Sequence, residues 1–208
     1  MRGRFITIEG GEGVGKTTNI DFIKSWLDRH GIAYVATREP GGTPYAEKIR
    51  TLLLEHQDET VDPLAELLLI FAARAQHLAR VIRPALDAGV WVLCDRFTDA
   101  TYAYQGAGRR LGMDKIAVLE TFVQGELKPD LTLVLDVDPA IGMARAGNRG
   151  TLDRFESEKM AFFARVRETY LHRAQQHPHS YAVVDASQSL RLVQEAIEKV
   201  FDDYLRQL

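Results

Sequence analysis

One run of residues, Gly10-Gly11-Glu12-Gly13-Val14-Gly15-Lys16-Thr17, satisfies the spacing G-x-x-x-x-G-K-[ST] in full. Glycines at those positions let backbone N–H groups turn inward around phosphate oxygens. Lys16 adds a point charge for β- and γ-phosphates, and Thr17 offers a hydroxyl to magnesium. A helix starting there adds the positive end of its dipole. Glu12 is electrostatically odd inside such a loop, because a carboxylate repels an incoming triphosphate. Further along, Asp95-Arg96 follows an apolar run at 90–94. An aspartate at a strand end near a phosphate loop suits magnesium or its waters. The planar fork of Arg96 suits a phosphate; the alternative is a structural ion pair. Arg145, Arg149 and Arg154 flank a glycine-containing stretch at 147–151. That pattern reads either as an exposed basic loop or as a lid that closes over the bound nucleotide. His30, His56, His77, His172, His177 and His179 show no metal-ligand spacing and read as helix-end or surface histidines.

These groups need elements to hold them. Residues 5–9 are short, apolar and β-branched. Helical spacing follows over 17–29, with Ile20, Ile23 and Leu27 on one stripe and Gly31 as the closing residue. A second strand is expected at 33–37. Helices are expected at 44–54 and 63–88, the latter long and kinked at Pro84. Residues 90–94 and 131–135 are continuous apolar runs, each ended by aspartate. Strands apolar on both faces belong to a parallel sheet covered by helices. A fifth strand falls at 181–184 and a last helix at 190–205, with Val193, Ile197, Val200, Phe201 and Leu205 on one face. The alternation predicts an α/β fold: three layers, with a doubly wound parallel five-stranded sheet of the P-loop NTPase type. Right-handed crossovers place the functional loops at the carboxyl ends of the strands, where the distinctive residues fall. The expected organisation is a single P-loop domain over 1–208, with a short mobile lid at about 143–156.

Composition narrows the classes. The 208 residues carry 26 Lys plus Arg against 29 Asp plus Glu, a formal net charge of -3. That balance disfavours a nucleic-acid-coating protein, so no nucleic-acid partner is expected. No uninterrupted apolar window approaches a membrane span, and none is expected. Cys94 is the only cysteine and the N-terminal residues carry no signal-peptide pattern. Together these predict a cytoplasmic protein. A guanine-specific Asn-Lys-x-Asp stretch is missing from the sequence, which argues against a GTPase switch. A motor ATPase would be larger. A small metabolite kinase is the class that remains.

Six segments resemble one family in order and over essentially the whole chain: bacterial thymidylate kinases of the lid-arginine type, within the nucleoside monophosphate kinases. They are Glu9-Gly10-Gly11-Glu12-Gly13-Val14-Gly15-Lys16-Thr17-Thr18, Thr37-Arg38-Glu39-Pro40-Gly41-Gly42-Thr43, Phe71-Ala72-Ala73-Arg74-Ala75-Gln76-His77, Asp95-Arg96-Phe97, Ala103-Tyr104-Gln105-Gly106 and Leu152-Asp153-Arg154-Phe155-Glu156. The resemblance implies γ-phosphoryl transfer from ATP to dTMP, giving dTDP and ADP, with magnesium as cofactor and a homodimer built through packed helices.

The resemblance also implies site roles. Gly10, Gly11, Glu12, Gly13, Val14, Gly15, Lys16, Thr17 and Thr18 bind ATP, with Thr17 and Asp95 toward the metal. Glu12 accepts a hydrogen bond from the acceptor 3′-hydroxyl, and Arg96 holds the acceptor phosphate. Arg74 donates to thymine O4, and Thr101 faces the base edge. Tyr104 lies beneath the sugar, where its bulk disfavours a 2′-hydroxyl. Arg38, Arg50, Leu53 and Gln105 complete the dTMP pocket. Phe71 is the expected stacking face, with a departure: some relatives carry the aromatic four residues before the arginine, where this chain has Ile70. The phosphate loop has no arginine beyond Lys16, so lid arginines must meet the charge on the transferred group. Arg149 is the first candidate and Arg154 the second, making Lys16, Arg96, Arg149 and Arg154 the expected catalytic set. A deoxynucleoside kinase and a nucleotide-dependent switch are the alternatives, separated by acceptor-dependent ADP formation.

Overall fold

The computed structural model describes residues 2–55, 58–147 and 153–208. The chain runs β1 (Phe5–Gly10), α1 (Lys16–Arg29), β2 (Tyr34–Arg38), α2 (Pro44–Leu54), α3 (Pro63–His77), α4 (Arg83–Asp87), β3 (Trp91–Asp95), α5 (Thr98–Thr101), α6 (Met113–Gln124), β4 (Leu131–Asp136), α7 (Pro139–Gly147), α8 (Met160–Gln176), β5 (Tyr181–Asp185) and α9 (Leu190–Leu205). All strand pairs are parallel, in the order β2-β3-β1-β4-β5. This is the expected three-layer α/β architecture, with β1 central and every one of its residues buried.

Period-two alternation along β1 sends its side chains to two different cores. Ile6 and Ile8 face α1 and α9, packing with Ile23, Trp26, Leu27, Ile197 and Phe201. Phe5 faces the opposite layer with Leu78, Ile82, Leu86, Val92, Cys94 and Phe97. A third cluster sets Tyr104 and Val134 against Phe162, Phe163, Val166 and Tyr170 of α8. Trp26 Nε1 donates to Asp202 at 2.9 Å and ties α1 to α9.

Local chemistry sets the helix starts. Thr43 and Asp62 cap α2 and α3 through their side chains, each followed by a proline at the first helical position. Gly31, at φ 64°, closes α1 as expected. The helix expected over 63–88 is three pieces: α3, a π-helical turn at Leu78–Ile82, and α4. Pro84 has no N–H to give and its ring excludes a carbonyl one turn back, so the widened turn lies immediately before it. A second π-helical stretch, Tyr102–Gly108, follows α5 and carries Tyr104 and Gln105.

Register brings the chemical residues together. Asp95 pairs with Ile8 on one side and with Arg38 on the other. The phosphate loop leaves β1 and lies against α7, where a Cβ on Gly13 would meet the Gly142 carbonyl oxygen at 1.8 Å. Gly13 also has φ 67°. The Gly13→Ala variant should therefore lose about 2–4 kcal/mol of stability, from strain and overpacking together, read by urea denaturation.

Candidate active site

Arg96 sits at the centre of the site, one residue past β3. Its backbone is left-handed, with φ 66°, a conformation that costs a non-glycine residue about 1 kcal/mol. Two bonds hold the turn: Arg96 N–H to Ile8 O at 3.0 Å, and Phe97 N–H to Glu9 Oε1 at 2.7 Å. The guanidinium reaches the phosphate loop, where Nη1 donates to Gly10 O at 2.9 Å and Nη2 to Glu12 Oε1 at 2.8 Å. It lies 4.8 Å from the Tyr104 ring centroid, and Tyr170 Oη accepts from it at 3.2 Å. Burial works against this cation, but Tyr104, Glu12, Tyr170 and Asp95 raise its pKa well above the ordinary value.

Lys16 curls back over the loop toward Gly11 O at 3.2 Å and Gly10 O at 3.5 Å. Burial first, then the Arg96 charge, push its ammonium pKa down. Two cations thus converge on the Gly10 carbonyl, and an anionic ligand would relieve their repulsion. Glu12 also accepts from the Tyr104 hydroxyl at 2.5 Å. Burial, with Glu12 beside it, raises that phenol well above its usual pKa, so it remains a donor. Asp95 Oδ1 is buried with no hydrogen-bond partner among the described residues. Thr17 lies at the exposed start of α1.

Beside this cluster is a cavity of about 140 Å³. Glu12, Arg38, Arg50, Leu53, Arg74, Arg96, Thr101, Tyr104 and Gln105 all line it. Arg38 donates to Glu47 at 2.8 Å, and Arg50 to Pro40 O at 2.9 Å. Arg74, 1% exposed, donates to Glu39 at 2.6 Å, Thr101 at 2.8 Å, Phe97 O at 3.2 Å and Gln124 at 3.4 Å.

Two expectations need correction. Phe71 does not line the cavity: it is 3% exposed and packs with Leu67, Tyr102 and Ile116. Helical rotation turns Ile70, one residue earlier, toward α2 and the cavity instead. Arg154 is not at the phosphate loop. Its Nη2 donates to buried Glu66 at 2.6 Å and its Nε to Leu53 O at 2.9 Å. Arg149 lies outside the described residues. His77, read as a helix-end or surface residue, ends α3 but is fully buried, with Glu39 at 3.0 Å and Thr37 at 2.7 Å.

Sequence reasoning also missed Glu9, Glu39, Phe97, Phe155 and Tyr170. Glu9, Glu39, Phe97 and Phe155 stand inside the quoted motifs, but only topology shows that they face this site. Tyr170 is set in α8 with no local signal. A larger open groove of about 1260 Å³ runs along the far side of α8. Several of its arginines are already engaged: Arg167 by Asp136, Arg173 by Asp99 and Arg165 by the Ala107 and Gly108 carbonyls.

A phosphate loop heading from β1, an arginine past β3 and a pocket joining them define a small P-loop phosphotransferase. A family model described as thymidylate kinase matches residues 8–197. The chain is 60% identical over 205 residues to a thymidylate kinase of Pseudomonas putida and 59% identical over 205 residues to one of Pseudomonas syringae pv. tomato, each covering 99% of this chain and 98% of the relative. The crystal structure of thymidylate kinase from Ehrlichia chaffeensis matches with a TM-score of 0.79 at 32% identity, covering 97% of this chain and 100% of that one. This chain belongs to the thymidylate kinase family.

Glu9 supplies a pH test. Burial, then the Asp99 charge, raise its pKa from 4.5 to about 8. Between those values the folded protein holds a proton that the unfolded chain has released, so this group's contribution to stability falls as pH rises. Glu9→Gln keeps the neutral hydrogen-bonding form throughout. Urea midpoints measured between about pH 5 and 8 should show the wild type losing stability relative to this variant.

Proposed function

We propose that the chain transfers the γ-phosphoryl group of ATP to dTMP, giving dTDP and ADP, as a step in dTTP synthesis. The observation that carries this reading is the junction of Arg96, Glu12 and Tyr104. One arginine touches the phosphate-loop carbonyl and the loop carboxylate, while its guanidinium faces a ring that lines the adjoining pocket. A donor phosphate on the loop and an acceptor phosphate on Arg96 would meet there. An oxygen of the acceptor phosphate attacks directly, in line, with no covalent enzyme intermediate and no protein base. Residues 10–18 hold ATP. Lys16 and Arg96 stabilise the charge that spreads over the moving group. Support for Glu12 as partner of the sugar hydroxyl comes from its fixed carboxylate at the pocket rim. Support for Tyr104 as the block against a 2′-hydroxyl comes from its buried ring in the pocket wall.

Thr17 and Asp95 fit a magnesium ion, since Asp95 presents a buried oxygen without a hydrogen-bond partner among the described residues. No cluster of three His, Cys, Asp or Glu side chains suited to a metal occurs among the described residues. That suits an ion held chiefly by phosphate oxygens and water. Bound with ATP, magnesium would offset charge on the phosphate oxygens.

The rest of the reading follows. The domain is single over 1–208, with a lid at about 143–156 whose Arg149 serves the transferred group. No helix among the described residues is long and apolar enough to cross a membrane. We place the protein in the cytoplasm, with ATP and dTMP as small-molecule partners and without a nucleic-acid or membrane partner. Its partner is a second copy, through α3 and α6. Leu64 and Leu68 on α3 are 46% and 50% exposed, and Val118 and Phe122 on α6 are 69% and 85% exposed. Adjacent exposed apolar faces on two helices in contact form a patch that favours a covering surface.

Two measurements test this. ADP formation from magnesium-ATP should depend on dTMP and be weak with dUMP, dCMP, dGMP, AMP, UMP or thymidine. Lys16→Ala should lower kcat at least about a hundredfold. Turnover of thymidine in place of dTMP would remove the role given to Arg96. Light scattering should report a dimer for the wild type and a monomer for Phe122→Asp.

A further inference from the structure

We propose that Glu66 is a positioning residue for the acceptor pocket, and that Arg154 works as its anchor rather than at the transferred phosphoryl group. This rests on the acceptor reading above and deepens it. Glu66 lies in the first turn of α3 and is 0% exposed. A carboxylate with no access to water loses several kcal/mol of solvation unless charged donors replace it. Here they do. Oε1 accepts from Gln105 Nε2 at 2.7 Å and from Arg109 Nε at 3.2 Å. Oε2 accepts from Arg154 Nη2 at 2.6 Å.

Each of these donors leads to the pocket wall. Gln105 lines it directly. Arg154 also donates from Nε to Leu53 O, and Leu53 lines it too. The two guanidiniums flank one aromatic ring: Arg154 lies 4.6 Å and Arg109 5.5 Å from the centroid of Phe155. Phe155 lines the pocket and meets Tyr104 edge to face, with centroids 6.1 Å apart. Arg109 also holds Glu158, three residues further along, and lies 5.2 Å from Phe162. One buried carboxylate therefore joins α3, the π-helical segment and residues 153–158. It presses Phe155 toward the tyrosine that bonds Glu12. The chain of contacts ends on acceptor-facing groups. Among the described residues it reaches the phosphate loop only through the Glu12 side chain and does not include Lys16.

That geometry separates two roles for Arg154. An arginine stabilising transferred charge acts on kcat, whereas an anchor of the pocket wall acts on acceptor KM. The experiment is steady-state kinetics on wild type, Glu66→Gln, Arg154→Gln and the double variant, varying dTMP and ATP separately. Each single variant should raise KM for dTMP about tenfold while KM for ATP and kcat stay within about threefold. The double variant should be no worse than about either single one, because both remove the same contact. An unchanged KM for dTMP in both singles, or additive effects, would overturn the proposal. So would a kcat loss of about a hundredfold in Arg154→Gln at unchanged KM, which would put that arginine at the reacting phosphate. If Glu66→Gln does not fold, Arg154→Gln, truncated at a partly exposed side chain, carries the same test. A wild type that turns over no dTMP would sink the acceptor reading instead. Hydrogen exchange then decides the anchor separately: the Arg154 and Glu158 amides should exchange about tenfold faster in Arg154→Gln, and unchanged rates would overturn it.

Discussion

Arg96 holds its charge on a strained backbone, wrapped by the phosphate-loop carbonyl of Gly10, the Glu12 carboxylate, the Tyr104 ring and the Tyr170 hydroxyl. Those partners come from three separate parts of the chain: the phosphate loop, the π-helical segment and α8. For all of them to reach one guanidinium, β1 and β3 must be neighbours in register, α8 must cross behind them, and the π-helical segment must turn Tyr104 inward. The parallel order with β1 central satisfies the first requirement. Glu9 satisfies the second, accepting from Phe97 N–H on one oxygen and from the Tyr170 hydroxyl at 3.0 Å on the other. A side chain so enclosed loses little freedom when a phosphate arrives, and preorganisation of this kind is where phosphoryl-transfer sites gain their rate.

The architecture was largely legible in the sequence. Continuous apolar runs at 90–94 and 131–135 signalled buried parallel strands; the structure extends the second by its terminal aspartate and shifts the first by one residue, to Trp91–Asp95. Helices α2 and α9 match their expected limits because proline, threonine and the stripe beginning at Val193 mark them locally. The phosphate-loop motif and the six ordered segments pointed to the family to which the chain proves to belong. Pocket lining was legible through that resemblance as well, since Arg38, Arg50, Leu53, Arg74, Thr101, Tyr104 and Gln105 surround one cavity.

What stayed illegible depends on rotation and on distance in sequence. Phe71 and Ile70 are both apolar, and only the packing of α3 between α2 and α6 decides which of them faces the pocket. His77 has nothing in its neighbourhood to announce that Glu39, 38 residues earlier, waits for it across the sheet end. Arg154 carries the same charge whether it swings toward a phosphate or turns to Glu66, and a buried acid 88 residues away settles the direction. The π-helical turns have no period that a sequence pattern could reveal.

Three buried carboxylates follow one rule. Glu9, Glu39 and Glu66 are all nearly or fully inaccessible, and each gathers donors belonging to the wall of the reaction site: the Arg96 turn, Arg74 with His77, and Arg154 with Gln105. Glu9 does so as a neutral acid, whereas Glu39 and Glu66 form buried ion pairs, which often contribute little net stability compared with apolar residues of the same size, because desolvation offsets the attraction. Their value here is directional. Without Glu39 or Glu66, several arginines would crowd a cavity of about 140 Å³ with uncompensated charge and wander between carbonyls. With them, the buried cations are neutralised toward the core. The cations nearest the substrates are Lys16 and Arg96, with Glu12 beside Arg96, and Arg38 and Arg50 at the rim, with Glu47 beside Arg38. A polyanion entering the site is then steered to the phosphate loop and its neighbour across the Gly10 carbonyl, and the deeper arginines serve shape rather than attraction.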